Sequence, residues 1–505
     1  MSTRLRILFV FLLPISLFAA PVFLDEQFEL PEGFRIYRAA GPELSGGSYD
    51  LAFDGQGRLL VGDGNAVRRL NDVDGDGVFD SYEIIATGLG SRGPQGLLVY
   101  GDQLYAVGGD GIQLFEGYGS AAGLVNKGRI GRPFRTGGDH DAHTILRGHD
   151  GYLYFVSGDG GGTRDRLHIT ESNSPVLFER SASVFRISPD GKHWECVSAG
   201  GRNPPNLGQN YLGDLFSFDS DMEWHVGLPW WRPVRLNHWL LGGDQGWQEV
   251  GAYPPYYIDC LPGILDVGRG SPTWGVFYEH NQFPAKYRDA YLVCDYRWKR
   301  ESNDQYATSG RLVAFFLKRQ GAGWKAVMET LARPKPDGRD AAGKPISFAL
   351  VDIEVAPDGS VLVSDHNQGI WRIVYGHRQQ HFSKISTLPL ASPLDQLLTL
   401  PQPASEWSRL AEEELKNQIG QNWRERLENA VLDSKRQLSE RLRAVRLLAS
   451  NFASLSAEFV ARLGKDNSPE LRGQAAWLMG LRADREAVSG LRTLLRDIDP
   501  FVRRR

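Results

Sequence analysis

Residues 137–143 read Gly-Gly-Asp-His-Asp-Ala-His and stand directly before a run of apolar residues. A histidine beside carboxylates can act as a general base near neutral pH, because its ordinary pKa is about 6.5. We therefore take His140 as a candidate catalytic base, and Asp139 and His143 as candidate substrate-binding residues. Hydrogen bonding between elements of the fold is the competing interpretation of these polar side chains.

A second segment offers a fixed positive charge. Arg202 and Asn203 follow two glycines and precede two prolines, and a guanidinium with an amide can hold an anionic or carbonyl oxygen. Residues 219–239 then combine acidic, aromatic and basic side chains, which suits a platform for a sugar or a flat cofactor. From this run we take Trp230 and Trp231 as candidate substrate-binding residues. Packing within the fold is again the alternative.

Residues 72–83 match the twelve-position calcium loop at every ligand place. Carboxylates occupy the first, third, fifth and ninth positions, a backbone carbonyl the seventh, and a glutamate the twelfth. The predicted ligands are Asp72, Asp74, Asp76, the carbonyl of Val78, Asp80 and Glu83. The flanking residues favour strands, so the pattern predicts the loop without EF-hand helices. Acidic Asp-Gly turns without a metal are the alternative.

The composition bounds the class of protein. A chain of 505 residues exceeds one ordinary core, and 41% hydrophobic with 23% charged residues is typical of a soluble globular protein. A net charge of -4 gives no broad basic field, so nucleic acid is not an expected partner. The three cysteines have no metal-binding spacing, and either one disulfide or inert buried thiols would suit them.

A short phrase recurs along the chain: an apolar strand, a turn built on Asp-Gly, and a second strand that ends in small residues. Many such hairpins over some 350 residues favour a β-propeller, whose radial blades leave only short edges. We predict an all-β, six-bladed propeller over residues 25–378, with five or seven blades as variants and a β-sandwich as the alternative fold. Copies of the phrase are residues 49–63, 97–108, 144–159, 184–197, 207–218, 275–295 and 351–365.

The two ends of the chain differ from this middle part. Residues 1–20 have a basic start and an apolar run, as an export signal does, with an uncleaved membrane anchor as the alternative. Residues 379–405 favour a linker, and residues 406–505 show helical apolar spacing. Asp466-x-x-Pro recurs at Asp497, which favours HEAT-like helical repeats. Because the chain stops just inside the next repeat, we expect it to be truncated.

Taken together, these residues resemble the soluble quinoprotein glucose and sorbosone dehydrogenases. The likeness lies in residues 140–159, which end in Gly-Asp, in residues 200–204 and in residues 242–247 and 271–277. It implies a six-bladed propeller that uses pyrroloquinoline quinone and calcium, with His140 as the catalytic base. In this resemblance the quinone contacts are Arg202, Asn203 and Arg297, and Arg132, Arg135 and Arg232 are candidates for neutralising its carboxylates.

A closer likeness is to large bacterial membrane-bound dehydrogenase-type proteins, which couple this propeller to HEAT repeats and often to a c-type haem segment. Residues 221–238 and 283–287 carry it. Two departures matter. The strand at residues 348–352 is apolar up to Val351 and ends in Asp352, where the glucose enzymes place arginines. No Cys-x-x-Cys-His occurs, so a haem acceptor would be a separate cytochrome c or a missing segment.

We therefore expect an exported, periplasmic or extracellular quinoprotein-type oxidoreductase that acts on the CH–OH group of a sugar or alcohol. Contact with a membrane is expected only through an uncleaved N-terminal segment. One alternative is a non-catalytic propeller that binds carbohydrate or a partner protein. The other is a calcium-dependent lactonase-type hydrolase, which would need metal ligands such as Asp219, Asp221 and Glu223.

Overall fold

Six β-sheets arranged as blades make up most of the molecule. The structure is a computed structural model that describes residues 21–160, 169–177, 181–222, 225–247, 260–296, 310–376, 392–450, 452–482 and 484–505. Five sheets have four strands and one has five, and within each blade neighbouring strands are antiparallel. The predicted six-bladed all-β propeller is thereby confirmed.

Blades 1 to 3 follow one another along the chain, and each contains four consecutive strands. Blade 1 comprises β3 (Asp50–Phe53), β4 (Leu59–Asp63), β5 (Ala66–Asn71) and β6 (Ser81–Thr87). Blade 2 comprises β7 (Leu97–Tyr100), β8 (Gln103–Gly108), β9 (Gly111–Glu116) and β10 (Val125–Ile130). Blade 3 comprises β11 (Ala142–Arg147), β12 (Leu153–Ser157), β13 (Ala182–Ile187) and β14 (Trp194–Gly201).

Blades 4 to 6 complete the ring. Blade 4 comprises β15 (Gly208–Gln209), β16 (Leu215–Asp219), β17 (Val234–Trp239) and β18 (Leu265–Gly268). Blade 5 comprises β19 (Pro272–Tyr278), β20 (Ala290–Asp295), β21 (Arg311–Gln320), β22 (Gly323–Pro334) and the short β1 (Phe28–Glu29). Blade 6 comprises β23 (Leu350–Val355), β24 (Val361–Asp365), β25 (Gly369–Tyr375) and β2 (Phe34–Ala40).

The pairing of β2 with β25 closes the ring. The register places Phe34 opposite Tyr375 and Ile36 opposite Ile373, so the beginning and end of the propeller share one sheet. First strands of neighbouring blades also contact one another, β23 with β3 and β3 with β7 among them. These first strands therefore surround the central channel, and buried apolar side chains such as Trp371 fill the blades.

The two faces of the propeller differ. On the upper face the chain enters the first strand of each blade and leaves the second. On the lower face the first strand turns into the second, where Asp-Gly and related turns lie. Gly151, for example, has φ +83° in the turn of blade 3, a left-handed conformation that glycine adopts without strain.

Helices cover the lower face. Ser392 caps α2 by accepting a hydrogen bond from the backbone of Asp395, and Pro393 starts that helix inside the segment predicted as a linker. No helix in the described parts of the chain combines the length and apolarity needed to cross a bilayer. A single turn, α1 (Pro42–Ser45), follows β2, and the others are α2 (Pro393–Thr399), α3 (Glu406–Ile419), α4 (Trp423–Leu432), α5 (Leu438–Ala449), α6 (Ala457–Leu463), α7 (Pro469–Arg482), α8 (Arg485–Leu494) and α9 (Pro500–Arg504).

The helices and the propeller share one continuous apolar core, in which Phe216 and Trp324 of the propeller meet α2 to α9. Polar contacts reach the turns of several blades. The Glu406 carboxylate accepts a hydrogen bond from Gly101 N at 2.9 Å, and Trp407 Nε1 donates to the carbonyl of Val355 at 3.3 Å. The helical segment is therefore docked onto the lower face.

Asp214 is the buried anchor of this docking. Its carboxylate accepts hydrogen bonds from Arg504 at 2.9 and 2.8 Å, from Arg505 at 2.9 Å and from Trp324 Nε1 at 2.8 Å. Burial alone would raise the pKa of Asp214, but the neighbouring His238 imidazole, whose Nε2 lies 3.7 Å from Oδ1, and the charges of the two arginines lower it well below its usual range. The folded protein therefore needs this carboxylate ionised.

We expect Asp214→Asn to destabilise the protein by about 3–5 kcal/mol, because two arginines would lose their buried counter-charge. The measurement is the denaturation midpoint followed by tryptophan fluorescence. Because the folded pKa is depressed, the stabilisation is present above pH 3.8, the unfolded value, and disappears as the pH falls through the folded one. Asp102→Asn, at an exposed turn, is the matched control. An equal midpoint in both variants would contradict the anchoring role.

Candidate functional site

Two segments distant in sequence meet on the upper face of blade 3. His140 precedes β11, Asp159 follows β12, and Arg202 lies in the crossover from β14 to β15. The His140 Nδ1 lies 2.5 Å from Asp159 Oδ1, and the Arg202 Nε lies 4.0 Å from Asp159 Oδ2. Backbone hydrogen bonds hold the segments together, since Asp159 N donates to the Arg202 carbonyl at 3.0 Å and Gly160 N donates to the His140 carbonyl at 2.8 Å. The structure thus places an imidazole and a guanidinium on the same carboxylate.

This arrangement orients the imidazole. In the neutral imidazole, the short contact between Nδ1 and the Asp159 carboxylate favours the tautomer with the proton on Nδ1 and the lone pair on Nε2. The His140 side chain is 39% exposed and Nε2 makes no hydrogen bond to the described residues, whereas Arg202 is 9% exposed. The His140 imidazole is therefore accessible at the mouth, beside a nearly buried positive charge.

Comparison of the blades shows that Asp159 is unusual. In four other blades the second strand ends in an aspartate whose carboxylate accepts a backbone N–H from the segment that enters the first strand of the same blade. Asp159 lies two residues beyond the equivalent place, which Ser157 occupies, and contacts an imidazole instead. The backbone pairs are Asp63 with Gly47 at 2.7 Å, Asp219 with Arg202 at 3.0 Å and Asn203 at 2.8 Å, Asp295 with Ser271 at 2.7 Å, and Asp365 with Ala349 at 3.1 Å.

The crossover that carries Arg202 is held by buried groups. Besides the two backbone N–H groups, Asp219 accepts a hydrogen bond from Asn237 Nδ2 at 3.1 Å, and burial raises its pKa while the charge of Arg235 opposes the rise. Arg202 Nη1 donates to Ser220 Oγ at 2.7 Å. Asn203 Nδ2 donates to the Asp139 carbonyl at 2.9 Å, which ties the Arg202 crossover to the His140 segment.

The other predicted residues around His140 divide between surface and interior. Asp139 is 89% exposed, with Arg92 Nη1 at 3.7 Å, and Arg135 is 69% exposed, with Nη2 3.4 Å from Asp141. Arg132 is also exposed. His143 is buried: Nε2 lies 3.2 Å from the Asp139 carbonyl, and the ring packs edge-on against Trp274.

The predicted residues of blade 4 lie deeper. Arg232 is buried and Nη1 donates to the Gln245 carbonyl at 3.2 Å. Trp231 is half-buried and Nε1 donates to Asp221 at 3.1 Å, while Trp230 is half-buried with its ring 6.3 Å from that of His225. Arg297 lies outside the described residues.

The acidic run that a hydrolase would need is engaged with protein groups. Asp219 accepts the hydrogen bonds described above. Asp221 accepts a hydrogen bond from the Trp231 indole, and its carboxylate lies 3.5 Å from Arg269 Nη1. Glu223 lies outside the described residues. In the part of the chain that is described, these carboxylates therefore do not face an open metal site.

The calcium-type loop joins β5 to β6. Single carboxylate oxygens of Asp72, Asp74 and Asp80 can lie within 4.8 Å of one another. Asp72 accepts hydrogen bonds from the backbone of Gly75, Asp76 and Gly77 at 2.9 to 3.0 Å. Burial raises the pKa of Asp72, and the bond from Gly77 and the charge of Arg372 oppose the rise.

Two predicted ligands of this loop differ from the rest. Glu83, the predicted bidentate ligand, lies on β6. Its carboxylate accepts a hydrogen bond from Arg69 Nε at 2.7 Å, so in this structure it binds an arginine. Val78 is half-buried, and its backbone N–H donates to Asp76. The loop also reaches blade 6, where Tyr37 and Arg372 donate to the Gly77 carbonyl at 3.3 and 3.2 Å.

Acidic side chains also line the central channel, a cavity of about 130 Å³ that contains Asp50, Asp352 and Glu354. Burial raises the pKa of Asp352 to about 7, and burial with the charges of Asp352 and Glu354 raises that of Asp50 well above its usual range. Asp352 accepts a hydrogen bond from Leu51 N at 2.5 Å, which links blade 6 to blade 1. We assign these groups to the contact between blades.

Asp159 is the residue that the sequence interpretation did not single out. The signal was present, because residues 49–63, 144–159, 275–295 and 351–365 all end in aspartate. The pattern could not show which of these carboxylates accepts a hydrogen bond from a backbone N–H and which one contacts a side chain. That difference depends on the position of Asp159 two residues after the end of β12, where its carboxylate meets His140.

Comparison with known proteins gives limited likenesses. No protein-family model matches the chain. The HIPL1 protein of Arabidopsis thaliana is 27% identical over 232 residues, which are 40% of this chain and 31% of that protein. The match therefore spans about a third of that relative.

Three solved structures illustrate the structural likeness. The PQQ domain of pyranose dehydrogenase from Coprinopsis cinerea, in its holo form, has a TM-score of 0.49 at 15% identity, over 70% of this chain and 98% of that one. An oxidoreductase described as a glucose dehydrogenase from Thermus thermophilus has a TM-score of 0.46 at 19% identity, over 68% and 100%. The PQQ-bound aldose sugar dehydrogenase of Streptomyces coelicolor has a TM-score of 0.44 at 15% identity, over 68% and 99%.

The burial of His143 gives a pH-dependent prediction. Burial lowers its pKa to about 4, whereas the unfolded chain binds the proton near pH 6.5. Stability should therefore fall as the pH drops from 6.5 to 4, by about 3 kcal/mol from this group. We expect His143→Gln to reduce that fall, measured as denaturation midpoints across this pH range. His193→Gln, at the surface, is the control, and an unchanged fall in His143→Gln would contradict the prediction.

Proposed function

We propose that this protein is an oxidoreductase that oxidises the CH–OH group of a sugar or alcohol, with pyrroloquinoline quinone as its cofactor. The observation that carries the proposal is the His140–Asp159–Arg202 constellation on the upper face. It combines an oriented base with a nearly buried cation, and a hydroxyl oxidation needs both. The resemblance in the residues around His140 and Arg202 supports the same reaction class.

The donor set fits a flat, anionic quinone. Arg202 and Asn203 stand beside His140, and the Arg202 guanidinium carries the N–H donors that the oxygens of such a ligand require. Arg92 and Arg135 supply exposed positive charge next to the same loop, which suits carboxylates of a ligand. The entry to blade 6 offers no such charge, because Phe348, Ala349 and Leu350 are apolar and buried.

The residues then divide the work as follows. His140 Nε2 takes the hydroxyl proton of the substrate as hydride leaves the same carbon, so that C–OH becomes C=O. Asp159 keeps the ring in the required tautomer and stabilises the imidazolium that forms. Arg202 provides fixed positive charge where negative charge grows. The cofactor, when bound, supplies the hydride acceptor.

The proposal extends to location and partners. A sugar or alcohol reaches the mouth from solvent, and the half-exposed Trp230 offers an aromatic face for it. We propose export on the basis of residues 1–20, and a separate cytochrome c as electron acceptor. The upper face suits such an encounter, because the helices cover the lower face.

The enzymatic proposal is tested with protein reconstituted with the quinone and an artificial electron-accepting dye. We expect dye reduction with a panel of aldoses and alcohols. His140→Ala should lose about 10²–10⁴-fold in kcat, the range for a general base. His193→Ala, a surface histidine, is the matched control. Full activity in His140→Ala, or no dye reduction by the wild type with any substrate, would sink the proposal.

We also propose that the loop from Asp72 to Asp80 binds Ca²⁺. The grouped carboxylates and the positive φ angles of Gly75 (75°) and Gly77 (86°) support it, because they turn the chain around one point. With Glu83 on Arg69, the ligand set lacks its bidentate member, so we expect affinity of about 10⁻⁴–10⁻³ M. The ion would then brace the contact between blades 1 and 6.

Calorimetry tests the calcium proposal. We expect millimolar Ca²⁺ to raise the Tm of the wild type, and Asp74→Ala to lose both the heat of binding and the rise in Tm. Asp337→Ala removes an exposed carboxylate elsewhere and should behave as the wild type. Calcium uptake that persists unchanged in Asp74→Ala would place the ion at another site.

A further inference from the structure

A cleft lies between the lower face of the propeller and the helical segment, far from His140. Its volume is about 110 Å³, which leaves room for several water-sized groups. The propeller contributes Tyr100, Arg147 and His149 to its wall. The helical side contributes α3 and α5, which carry most of the charged side chains. Any ligand in the cleft would therefore contact both parts of the molecule.

Positive charge exceeds negative charge in this wall. Five basic side chains face three acidic ones, and most are already paired. Arg147 is the exception, with no carboxylate within ion-pair distance among the described residues. The pairs are Arg409 with Glu406 at 2.6 Å, Lys416 with Glu413 at 3.0 Å, Arg443 with Glu412, and Arg446 with Glu279 outside the cleft at 2.9 Å.

Arg147 is held in place by an aromatic ring. Its guanidinium carbon lies 3.6 Å from the ring centroid of Tyr100, and that of Arg409 lies 4.8 Å from the same centroid. Two like charges thus share one ring, and only Arg409 has a carboxylate partner. An anion beside Tyr100 would compensate the second charge.

Two buried nitrogen atoms in the wall also lack partners. The His149 Nε2 and the Arg443 Nε have no hydrogen-bond partner in the described residues. His149 is 6% exposed, and the Arg443 side chain is 10% exposed. Burial and the charges of Arg446, Arg443 and Arg505 hold the pKa of His149 well below its usual range. A neutral imidazole and a guanidinium N–H are therefore available to an acceptor.

We propose that this cleft binds a small phosphate dianion, either free phosphate or the head of a phosphate monoester. Guanidinium groups match the oxygens of a phosphate through their planar fork of N–H donors. The unpaired Arg147 supplies the charge, and His149 and Arg443 supply buried donors. Because the cleft wall belongs to both parts, the bound anion strengthens the docking of the helices onto the propeller.

The experiment uses the full chain and inorganic phosphate as the probe. We expect 10 mM phosphate to raise the Tm by about 2–4 °C relative to sodium chloride of equal ionic strength. Arg147→Gln and Arg147→Glu should abolish the rise while keeping the far-UV circular dichroism of the wild type. Arg492→Gln removes an exposed arginine of α8 and should keep the rise. Titration calorimetry should show the same order of variants.

Glycerol phosphate separates the two sources of the anion. A rise in Tm with both probes identifies a phosphate monoester site, and a rise with inorganic phosphate alone identifies a free-phosphate site. An equal rise in wild type and Arg147→Gln, or an equal effect of chloride, would overturn the proposal. So would the absence of any heat of binding for the wild type.

Discussion

The pairing of β2 with β25 is the interaction on which the rest of the molecule depends. It joins β2, near the beginning of the propeller, to β25 of the last blade through backbone hydrogen bonds, from Phe34 opposite Tyr375 onward. A ring that is closed in this way holds all six first strands around one channel. The segments that enter those strands therefore all lie on the same face. The His140–Asp159–Arg202 contact is a consequence of that closure.

The upper and lower faces of the propeller differ because different connections of the chain lie on them. On the upper face, crossover segments end with polar groups exposed at a mouth, and in four blades a carboxylate accepts hydrogen bonds from their backbone N–H groups. On the lower face, short turns give a smoother surface that helices can cover. Asp214 shows how firmly they do so, since the buried carboxylate holds both Arg504 and Arg505. In the described parts of the chain, docking of this kind covers the lower face and leaves the upper face open.

Blade 3 differs from four other blades in what the aspartate after its second strand contacts. In four blades an aspartate at the end of the second strand accepts a backbone N–H, and this is a role of stability alone. In blade 3 the aspartate stands two residues further along the chain, as Asp159, so that its carboxylate meets His140 instead. The Arg202 crossover is at the same time fixed by Asp219 of the next blade. A small change in spacing therefore places a carboxylate against the His140 imidazole, between segments that the blades hold in place.

The sequence by itself determined the class of fold and the candidate residues. Alternation of apolar residues around Asp-Gly turns is local information, and it predicted the six-bladed propeller correctly. The spacing of residues 72–83 likewise pointed to the calcium-type loop, and His140 and Arg202 stood out by type and context. Helical spacing after the propeller also predicted the helices, although α2 begins within the segment predicted as a linker.

Only the tertiary structure decided which of these residues share a site. Side-chain direction and burial depend on contacts between blades, which no local pattern records. His143 is therefore in the interior while its neighbour His140 faces the mouth, and Glu83 turns to Arg69 because β5 and β6 pair there. Asp159 gained its role through packing, and the cleft around Arg147 exists only because helices distant in sequence dock beneath blades 2 and 3.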